Sequence, residues 1–165
     1  CPGCISLFKK CKVGVLELKM SGKNEIIMEF SSNSENESLA RTVISAFVAR
    51  LDPTLEELAD IKTVVPEAVT NAIIHGYEKN PGMVRMAAKI EDNVVSVEIS
   101  DTGAGIENLE KAMEPMYTTK PELDRSGMGF AFMEAFMDEL DVQSELGKGT
   151  TIRMKKTIYS AIHIS

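Results

Sequence analysis

The sequence lacks an uninterrupted apolar run of about 18 residues, the length that a membrane-spanning helix requires. It also lacks an excess of positive charge, because 18 Lys and Arg residues stand against 25 Asp and Glu residues and the formal net charge is −7. An acidic surface repels nucleic-acid phosphates. We therefore expect one globular domain with no membrane span and no direct contact with nucleic acid, while a basic protein partner remains compatible with the charge.

Cysteine is absent beyond residue 11. All three cysteines stand near the start of the sequence, at Cys1, Cys4 and Cys11. A disulfide framework would spread cysteines through the fold, so this distribution favours a reducing compartment, and we expect a cytoplasmic protein. The C-x-x-C spacing has no second cysteine pair and no nearby histidine, which argues against a metal site. We expect residues 1–19 to be a leader or extension, residues 20–160 to form one domain, and residues 161–165 to be a tail.

The stretch "SDTGAGIEN", residues 100–108, completes neither of two common nucleotide motifs. The dinucleotide fingerprint G-x-G-x-x-G would need a third glycine where Asn108 follows Gly103 and Gly105. The P-loop pattern G-x-x-x-x-G-K-[ST] occurs nowhere in the sequence. If these glycines serve a nucleotide, they must do so in another geometry.

Two capping boxes predict where the first two helices begin. Ser34 with Glu37, and Thr54 with Glu57, have the spacing in which a hydroxyl and a carboxylate satisfy each other's backbone N–H groups. The first helix has an apolar stripe at helical spacing, made of Leu39, Val43, Ala46, Phe47 and Leu51. The second helix runs toward Gly76, which we interpret as its C-cap.

The second helix places a carboxylate and an amide on one face. Glu67 and Asn71 are four residues apart, so they lie one above the other on the helix surface. Pro66 removes a backbone N–H inside this helix, at a cost of about 3 kcal/mol. We therefore expect the helix to kink or restart near Pro66, and we hypothesise that Pro66 lowers stability or slows the chemistry at Glu67.

Alternating apolar residues predict the strands. The alternation is clearest at residues 84–90 and 95–99, and "EDN" between these segments predicts an antiparallel hairpin. Further strands are predicted at residues 24–30 and in "DVQSE" and "GTTIRMKKT", with helices at residues 106–113 and 127–140. Strands paired by hairpins, with helices set between them, indicate an α+β fold in the form of a two-layer sandwich.

Taken in order, the motifs resemble those of one superfamily. E-x-x-x-N on a helix, D-x-G-x-G after a strand, G-x-G opening a helix and "GTT" opening a strand resemble the N, G1 and G2 boxes of the GHKL superfamily, with its Bergerat ATP-binding fold. The stretches "NESLAR", "EAVTNAIIHGYE" and "TTKPELDRSGMGF" are similar to the anti-sigma F factor family of spore-forming bacteria. The resemblance spans residues 24–157 and implies a mixed, mostly antiparallel sheet covered by helices on one face.

The resemblance also implies a role for each matching residue. Glu67 would be the catalytic carboxylate that accepts or orients the proton of an attacking serine hydroxyl. The side-chain carbonyl of Asn71 would be a ligand of Mg²⁺. Asp101 would select adenine, because its ionised carboxylate accepts a hydrogen bond from the exocyclic amino group, whereas guanine has a carbonyl oxygen there.

Other matching residues would complete the ATP site. Gly103 and Gly105 would let the backbone approach the base and ribose, and Thr151 would support the adenine pocket through its hydroxyl. The phosphates would bind at the turn that opens a helix, formed by Ser126, Gly127, Met128 and Gly129. In the polar loop before that turn, Lys120 would contact the nucleotide and Arg125 would be a catalytic residue, since both cations could stabilise charge on the transferred phosphoryl group.

The resemblance implies an ATP-dependent serine protein kinase that binds and inhibits a sporulation sigma factor and phosphorylates an anti-anti-sigma factor on serine. The expected cofactors are ATP and Mg²⁺, the expected partners are those two proteins, and a homodimer is expected. Arg41 would lie on the partner-binding surface. Two alternatives remain open: a stress-response anti-sigma kinase of the same fold, and an anti-sigma module that holds ATP without transferring phosphate.

Overall fold

An antiparallel sheet is the framework of the fold. The computed structural model describes residues 22–77, 80–115 and 129–159. Within these ranges, five strands form one sheet in the order β1-β2-β3-β5-β4, and all four pairings are antiparallel. The strands are β1 (Asn24–Ser31), β2 (Met83–Glu91), β3 (Val94–Asp101), β4 (Glu139–Glu145) and β5 (Gly149–Thr157). In the β4–β5 hairpin the second strand, β5, pairs with β3, so β5 lies between β3 and β4, and β4 is the edge strand.

Four α-helices are described alongside the sheet. They are α1 (Asn36–Ala49), α2 (Leu55–Asn71), α3 (Leu109–Ala112) and α4 (Gly129–Phe136). A π-helical turn, Ala72–Gly76, continues α2, and its C-cap residue is Tyr77, so the C-cap predicted at Gly76 is one residue early. The short helix predicted within residues 106–113 is confirmed as α3.

The helix predicted over residues 127–140 extends too far. α4 ends at Phe136, and β4 begins at Glu139. Leu140 and Val142 both pack against the core at the two-residue spacing of a strand, and this alternation replaces the helical one.

The apolar core lies between the sheet and the helices. On β2 and β3 the buried residues alternate strictly, as the sequence predicts; they are Val84, Met86, Ala88, Ile90, Val95, Val97 and Ile99. Against this face pack α1, α2 and α4, and α2 contacts both of the others. The opposite face of the sheet is polar, with Glu98 paired to Arg85 and Arg153. The predicted two-layer α+β sandwich is therefore confirmed.

The start of α1 differs from the prediction. Glu35 is the N-cap residue. The N–H of Glu37 donates a hydrogen bond to the backbone carbonyl of Ser34 at 3.3 Å, and not to the Ser34 hydroxyl. The side chain of Asn33 accepts a hydrogen bond from the N–H of Glu35 at 2.9 Å. The capping box predicted at Ser34 is therefore wrong, because a neighbouring asparagine organises this turn through its own side chain.

The buried stripe of α1 also differs from the predicted one. Its buried side chains are Ala40, Ile44, Phe47 and Val48. Leu39, which was expected to face the core, is 46% exposed, and Ala46 is exposed as well. The sequence contains two overlapping apolar stripes about one residue apart, and packing against α2 selects the second.

The start of α2 is confirmed. The hydroxyl of Thr54 accepts from the N–H of Glu57 at 3.1 Å, and the Glu57 carboxylate accepts from the N–H of Thr54 at 2.8 Å. The helix then runs without interruption through Pro66 to Asn71, so the predicted restart is wrong, while the predicted kink stays a prediction. Because Pro66 is buried, its ring contributes apolar contact at the position where the N–H is missing. Its effect on stability and on rate stays a prediction.

Three polar contacts connect α2 and α4 to the last residues that the structure describes. The ammonium of Lys156, on β5, lies 3.0 Å from Asp60 of α2 and donates to the carbonyl of Phe136, the last residue of α4, at 2.7 Å. The second carboxylate oxygen of Glu57 accepts from the N–H of Tyr159 at 2.8 Å. Lys156 therefore connects α2, the C-terminal end of α4 and β5 through its ammonium group.

Parts of the sequence predictions fall on residues that the structure does not describe. Both the leader expected at residues 1–19, with its three cysteines, and the tail expected at residues 161–165 lie outside the described residues. Within the described ranges, no helix has the combination of length and apolarity needed to cross a bilayer.

The two predicted capping boxes make a matched test. Thr54→Ala should lower the free energy of unfolding by about 1 kcal/mol, because it leaves the N–H of Glu57 without its acceptor. Ser34→Ala should change it by less than about 0.5 kcal/mol, since the cap at α1 uses the Ser34 carbonyl. Urea denaturation of both variants measures the difference, and equal losses would contradict the two cap geometries.

Candidate functional site

Three sequence-predicted residues meet where α2 faces the start of α4. A Cβ atom added to Gly129 would lie 3.2 Å from Oε2 of Glu67 and 3.4 Å from Nδ2 of Asn71. The four-residue spacing places both side chains on the same face of α2, and Lys156 holds α4 against that face. The absence of a side chain at Gly129 therefore leaves space for the carboxylate and the amide beside the first residue of α4.

The amide of Asn71 has unused hydrogen-bonding capacity. Its Nδ2 atom is buried and has no hydrogen-bond partner in the part of the chain that the structure describes. A buried polar atom of this kind is commonly explained by a bound ion, water or ligand. Half a turn of the amide would present its carbonyl oxygen instead, and such an oxygen suits Mg²⁺. Asn71 therefore fits the role of a magnesium ligand.

The described residues contain no cluster of three or more His, Cys, Asp and Glu side chains that could hold a metal ion. Mg²⁺ in sites that handle nucleotide phosphates usually takes most of its ligands from phosphate oxygens and water, so such a site does not require a carboxylate cluster.

Asp101 is a buried carboxylate at the end of β3. Its side chain is on the helix-covered face, and the residue is only 8% exposed. The N–H of Gly103 donates to its Oδ1 at 2.9 Å, and the backbone N–H of Thr150 also lowers the pKa of the same carboxylate. Burial raises the pKa of Asp101 above its ordinary value, and these two N–H groups only partly oppose the rise. Asp101 is thus held in place, at a cost to its ionised form.

The glycines after Asp101 permit close packing between backbone segments. A Cβ atom on Gly103 would lie 2.0 Å from the carbonyl oxygen of Gly76, in the π-helical turn. Gly105 has φ +74°, and a Cβ there would lie 2.2 Å from the carbonyl oxygen of Glu145 at the end of β4. These glycines are therefore required by contacts within the protein, whether or not a nucleotide also approaches them.

The sheet register places Thr150, rather than Thr151, beside Asp101. Thr150 lies directly opposite Asp101, and residues directly opposite in a pair share a face of the sheet. Thr151 lies opposite Ser100 and faces the polar side. The predicted position of the threonine is therefore corrected by one residue, because strand side chains alternate between the two faces.

Comparison with known proteins gives the family. Residues 30–156 match the model of the histidine kinase-like ATPase domain. The anti-sigma F factor of Geobacillus sp. (strain WCH70) is 60% identical over 137 residues, which cover 82% of this chain and 94% of that protein. The anti-sigma F factor of Clostridium acetobutylicum is 58% identical over 134 residues, covering 81% and 94%. The chain belongs to the anti-sigma F factor family.

A solved structure supports the fold of this family member. The crystal structure of the RsbU and RsbW domains of a Mycobacterium tuberculosis protein superposes with a TM-score of 0.60 at 20% identity. The match covers 82% of this chain and 32% of that longer chain, so the similarity concerns the fold. It agrees with the antiparallel sheet and its single helical layer.

The structure brings together only part of the predicted site. The described members are Glu67, Asn71, Asp101, Gly103, Gly105, Gly129 and Thr151, while Lys120, Arg125, Ser126, Gly127 and Met128 lie outside the described residues. Arg41 is on the surface of α1, where it forms an ion pair with Glu37 one turn earlier. The roles of all these residues stay predictions.

Other residues at the site were missed by the sequence analysis. The carbonyl of Gly76 accepts a hydrogen bond from the N–H of Ala104 at 2.9 Å. A Cβ atom added to Gly76 would lie 2.7 Å from the Asp101 carboxylate. The hydroxyl of Tyr77 accepts from the N–H of Thr102 at 2.9 Å and donates to the carbonyl of Met83 at 2.7 Å. The adjacent "GY" in "IIHGYE" was the available signal, since a glycine at the end of a helix can serve close packing as well as capping.

The raised pKa of Asp101 predicts a pH-dependent stability. Because the folded-state pKa lies above the ordinary value of 3.8, the folded chain binds more protons than the unfolded chain between the two values. The free energy of unfolding therefore falls as pH rises through that window. Asp101→Asn should remove this loss in the ligand-free protein.

The measurement is urea denaturation of both proteins from about pH 4 to about pH 8. The stability of the wild type minus that of the variant should decrease with rising pH. A difference that increases with pH would show that hydrogen bonding, and not burial, dominates at Asp101.

Proposed function

We propose that this chain is an ATP-dependent serine protein kinase that also inhibits a sporulation sigma factor by binding it. The observation that supports this most directly is the meeting of Glu67, Asn71 and Gly129 near the C-terminal end of α2, with Asp101 beside Gly76 at the end of the π-helical turn that continues α2. The relatives are named for sigma factor antagonism, and the matched domain is named for ATPases of the histidine kinase type.

The end of the site near Asp101 would bind the base. The ionised carboxylate accepts hydrogen bonds, so it favours a base with an amino group at that edge, such as adenine. Its position is fixed by the hydrogen bond from the N–H of Gly103, which means that little reorganisation would accompany binding.

The end near Glu67 would perform the transfer. The serine hydroxyl of the acceptor protein attacks the terminal phosphoryl group of ATP, a new oxygen–phosphorus bond forms, the bond to the ADP oxygen breaks, and Glu67 takes the hydroxyl proton. Asn71 would hold Mg²⁺ through its carbonyl oxygen. When bound, Mg²⁺ neutralises charge on the phosphates. Gly129 leaves the space that these groups require, because a side chain there would crowd Glu67 and Asn71.

Protein partners would be bound by the surface rather than by the nucleotide site. Arg41 is exposed on α1, and we assign it to the surface that binds protein partners. The anti-anti-sigma protein would in addition bring its acceptor serine to Glu67. A homodimer and a cytoplasmic location complete the proposal. Lys120 and Arg125 are proposed to stabilise the charge that develops during transfer.

Asp101→Asn tests the base end of the site. The variant should bind ATP about 100-fold more weakly, because an amide can present a donor toward the amino group of adenine. Isothermal titration calorimetry of the full chain measures the affinity. Asp92→Asn, the same chemical change in the exposed turn between β2 and β3, is the matched control and should bind ATP as the wild type does. Unchanged binding by the Asp101 variant would rule out the proposed base site.

Glu67→Gln tests the transfer. The variant should bind ATP within about threefold of the wild type but transfer phosphate at least about 100-fold more slowly, because glutamine cannot accept the serine proton. Radiolabelled ATP and the cognate anti-anti-sigma protein provide the assay. Glu56→Gln, at the exposed start of the same helix, is the matched control and should transfer normally.

The wild type itself decides between the kinase and a binding module. Label on an acceptor serine supports the kinase. Tight ATP binding with no label on serine would leave an anti-sigma module that holds ATP. Steady release of phosphate without an acceptor protein would instead indicate an ATP-hydrolysing enzyme.

A further inference from the structure

Ser144 lies beside the base end of the site, yet the proposed function gives it no role. It is on β4, directly opposite Thr150 of β5, which in turn lies opposite Asp101 of β3. These three side chains therefore form one row across the helix-covered face of the sheet. All three lie within the described residues and none is on the loop before α4.

The hydroxyl of Ser144 has three polar neighbours. It accepts a hydrogen bond from the N–H of Ile106 at 2.7 Å, it lies 2.8 Å from the hydroxyl of Thr150, and it lies 3.2 Å from the carbonyl oxygen of Gly149. A hydroxyl has one proton and two acceptor sites. With one acceptor site taken by Ile106, the single proton of Ser144 must go either to Thr150 or to Gly149.

The direction of that proton decides what Thr150 offers a ligand. If Ser144 donates to Gly149, Thr150 donates to Ser144 and presents only lone pairs to the site. If Ser144 donates to Thr150, the proton of Thr150 is available to a ligand. The contact with Thr150 is at the usual length for an O–H···O bond, about 2.7–2.8 Å, whereas the contact with Gly149 is longer. A ligand atom that accepts a hydrogen bond next to Asp101 would select the second arrangement.

We propose that Ser144 is a specificity-determining positioning residue that orients the Thr150 hydroxyl to donate toward the N1 edge of adenine while Asp101 accepts from the neighbouring amino group. This inference rests on the proposed binding of ATP. N1 is the acceptor next to the amino group, so a carboxylate and a hydroxyl proton side by side match that edge of the base, whereas guanine has a carbonyl and an N–H there. The bond from Ile106 also ties Ser144 to the turn after Asp101, which keeps the row in register with that carboxylate.

The test combines a protein change with a change of one ligand atom. Ser144→Ala should weaken ATP binding by about threefold to tenfold, the effect of one hydrogen bond. For 1-deaza-ATP, which keeps the amino group but has carbon in place of N1, Ser144→Ala should change the affinity by less than about twofold. Ser144→Thr, which keeps a hydroxyl, should restore the preference for ATP over 1-deaza-ATP. Calorimetry on the full chain measures all the affinities.

Ser100→Ala is the matched control, because Ser100 is adjacent to Asp101 but faces the polar side of the sheet. It should bind both nucleotides as the wild type does. Equal weakening of ATP and 1-deaza-ATP by Ser144→Ala would mean that Ser144 only supports the fold, and no weakening of either would mean that it does not orient Thr150; each result overturns the inference. Failure of the wild type to bind ATP at all would overturn the proposed function and this inference with it.

Discussion

The burial of the Asp101 carboxylate at the end of β3 is the constraint on which the candidate site depends. A buried carboxylate needs stabilisation, which comes from the hydrogen bond of the Gly103 N–H in the following turn and from the effect of the Thr150 backbone N–H in β5. The Thr150 contact requires β5 to lie next to β3, which the folded-back β4–β5 hairpin achieves. The sheet order, the glycine turn and the electrostatics of the site therefore depend on one another.

Most of the fold could be predicted because its strands alternate without ambiguity. Residues 84–90 and 95–99 have one apolar face each, and the observed pairing buries both faces on the same side of the sheet. The helix starts and the buried face of α1 were harder to predict, because the backbone N–H groups at a helix start can be capped by more than one neighbouring side chain. Thr54 forms its capping box, whereas the same spacing at Ser34 is overridden by Asn33, and the stripe of α1 is chosen by packing that no local pattern contains.

The candidate site could be predicted in its residue types better than in its geometry. The spacing of Glu67 and Asn71 places them correctly, since it follows from the helix alone. The one-residue shift to Thr150 could have been found from the sequence, because buried Ile152 and Met154 fix which threonine faces inward. The contacts of Ser144 could not, since they join β4, β5 and the turn after β3, and pairing between distant segments is decided by the whole sheet.

The π-helical turn Ala72–Gly76 makes the length of the segment between Asn71 and Tyr77 critical. An i→i+5 turn holds about one residue more than the α-helical turn it replaces. That additional residue lets Asn71 face α4 while the carbonyl of Gly76 reaches the N–H of Ala104 near the end of β3. Removing one residue here would keep every side chain named in the site. It would nevertheless rotate Glu67 and Asn71 relative to Gly76, so that they would no longer face α4 while Gly76 contacts Ala104. Along this segment, the count of residues is as much a part of the site as their identity.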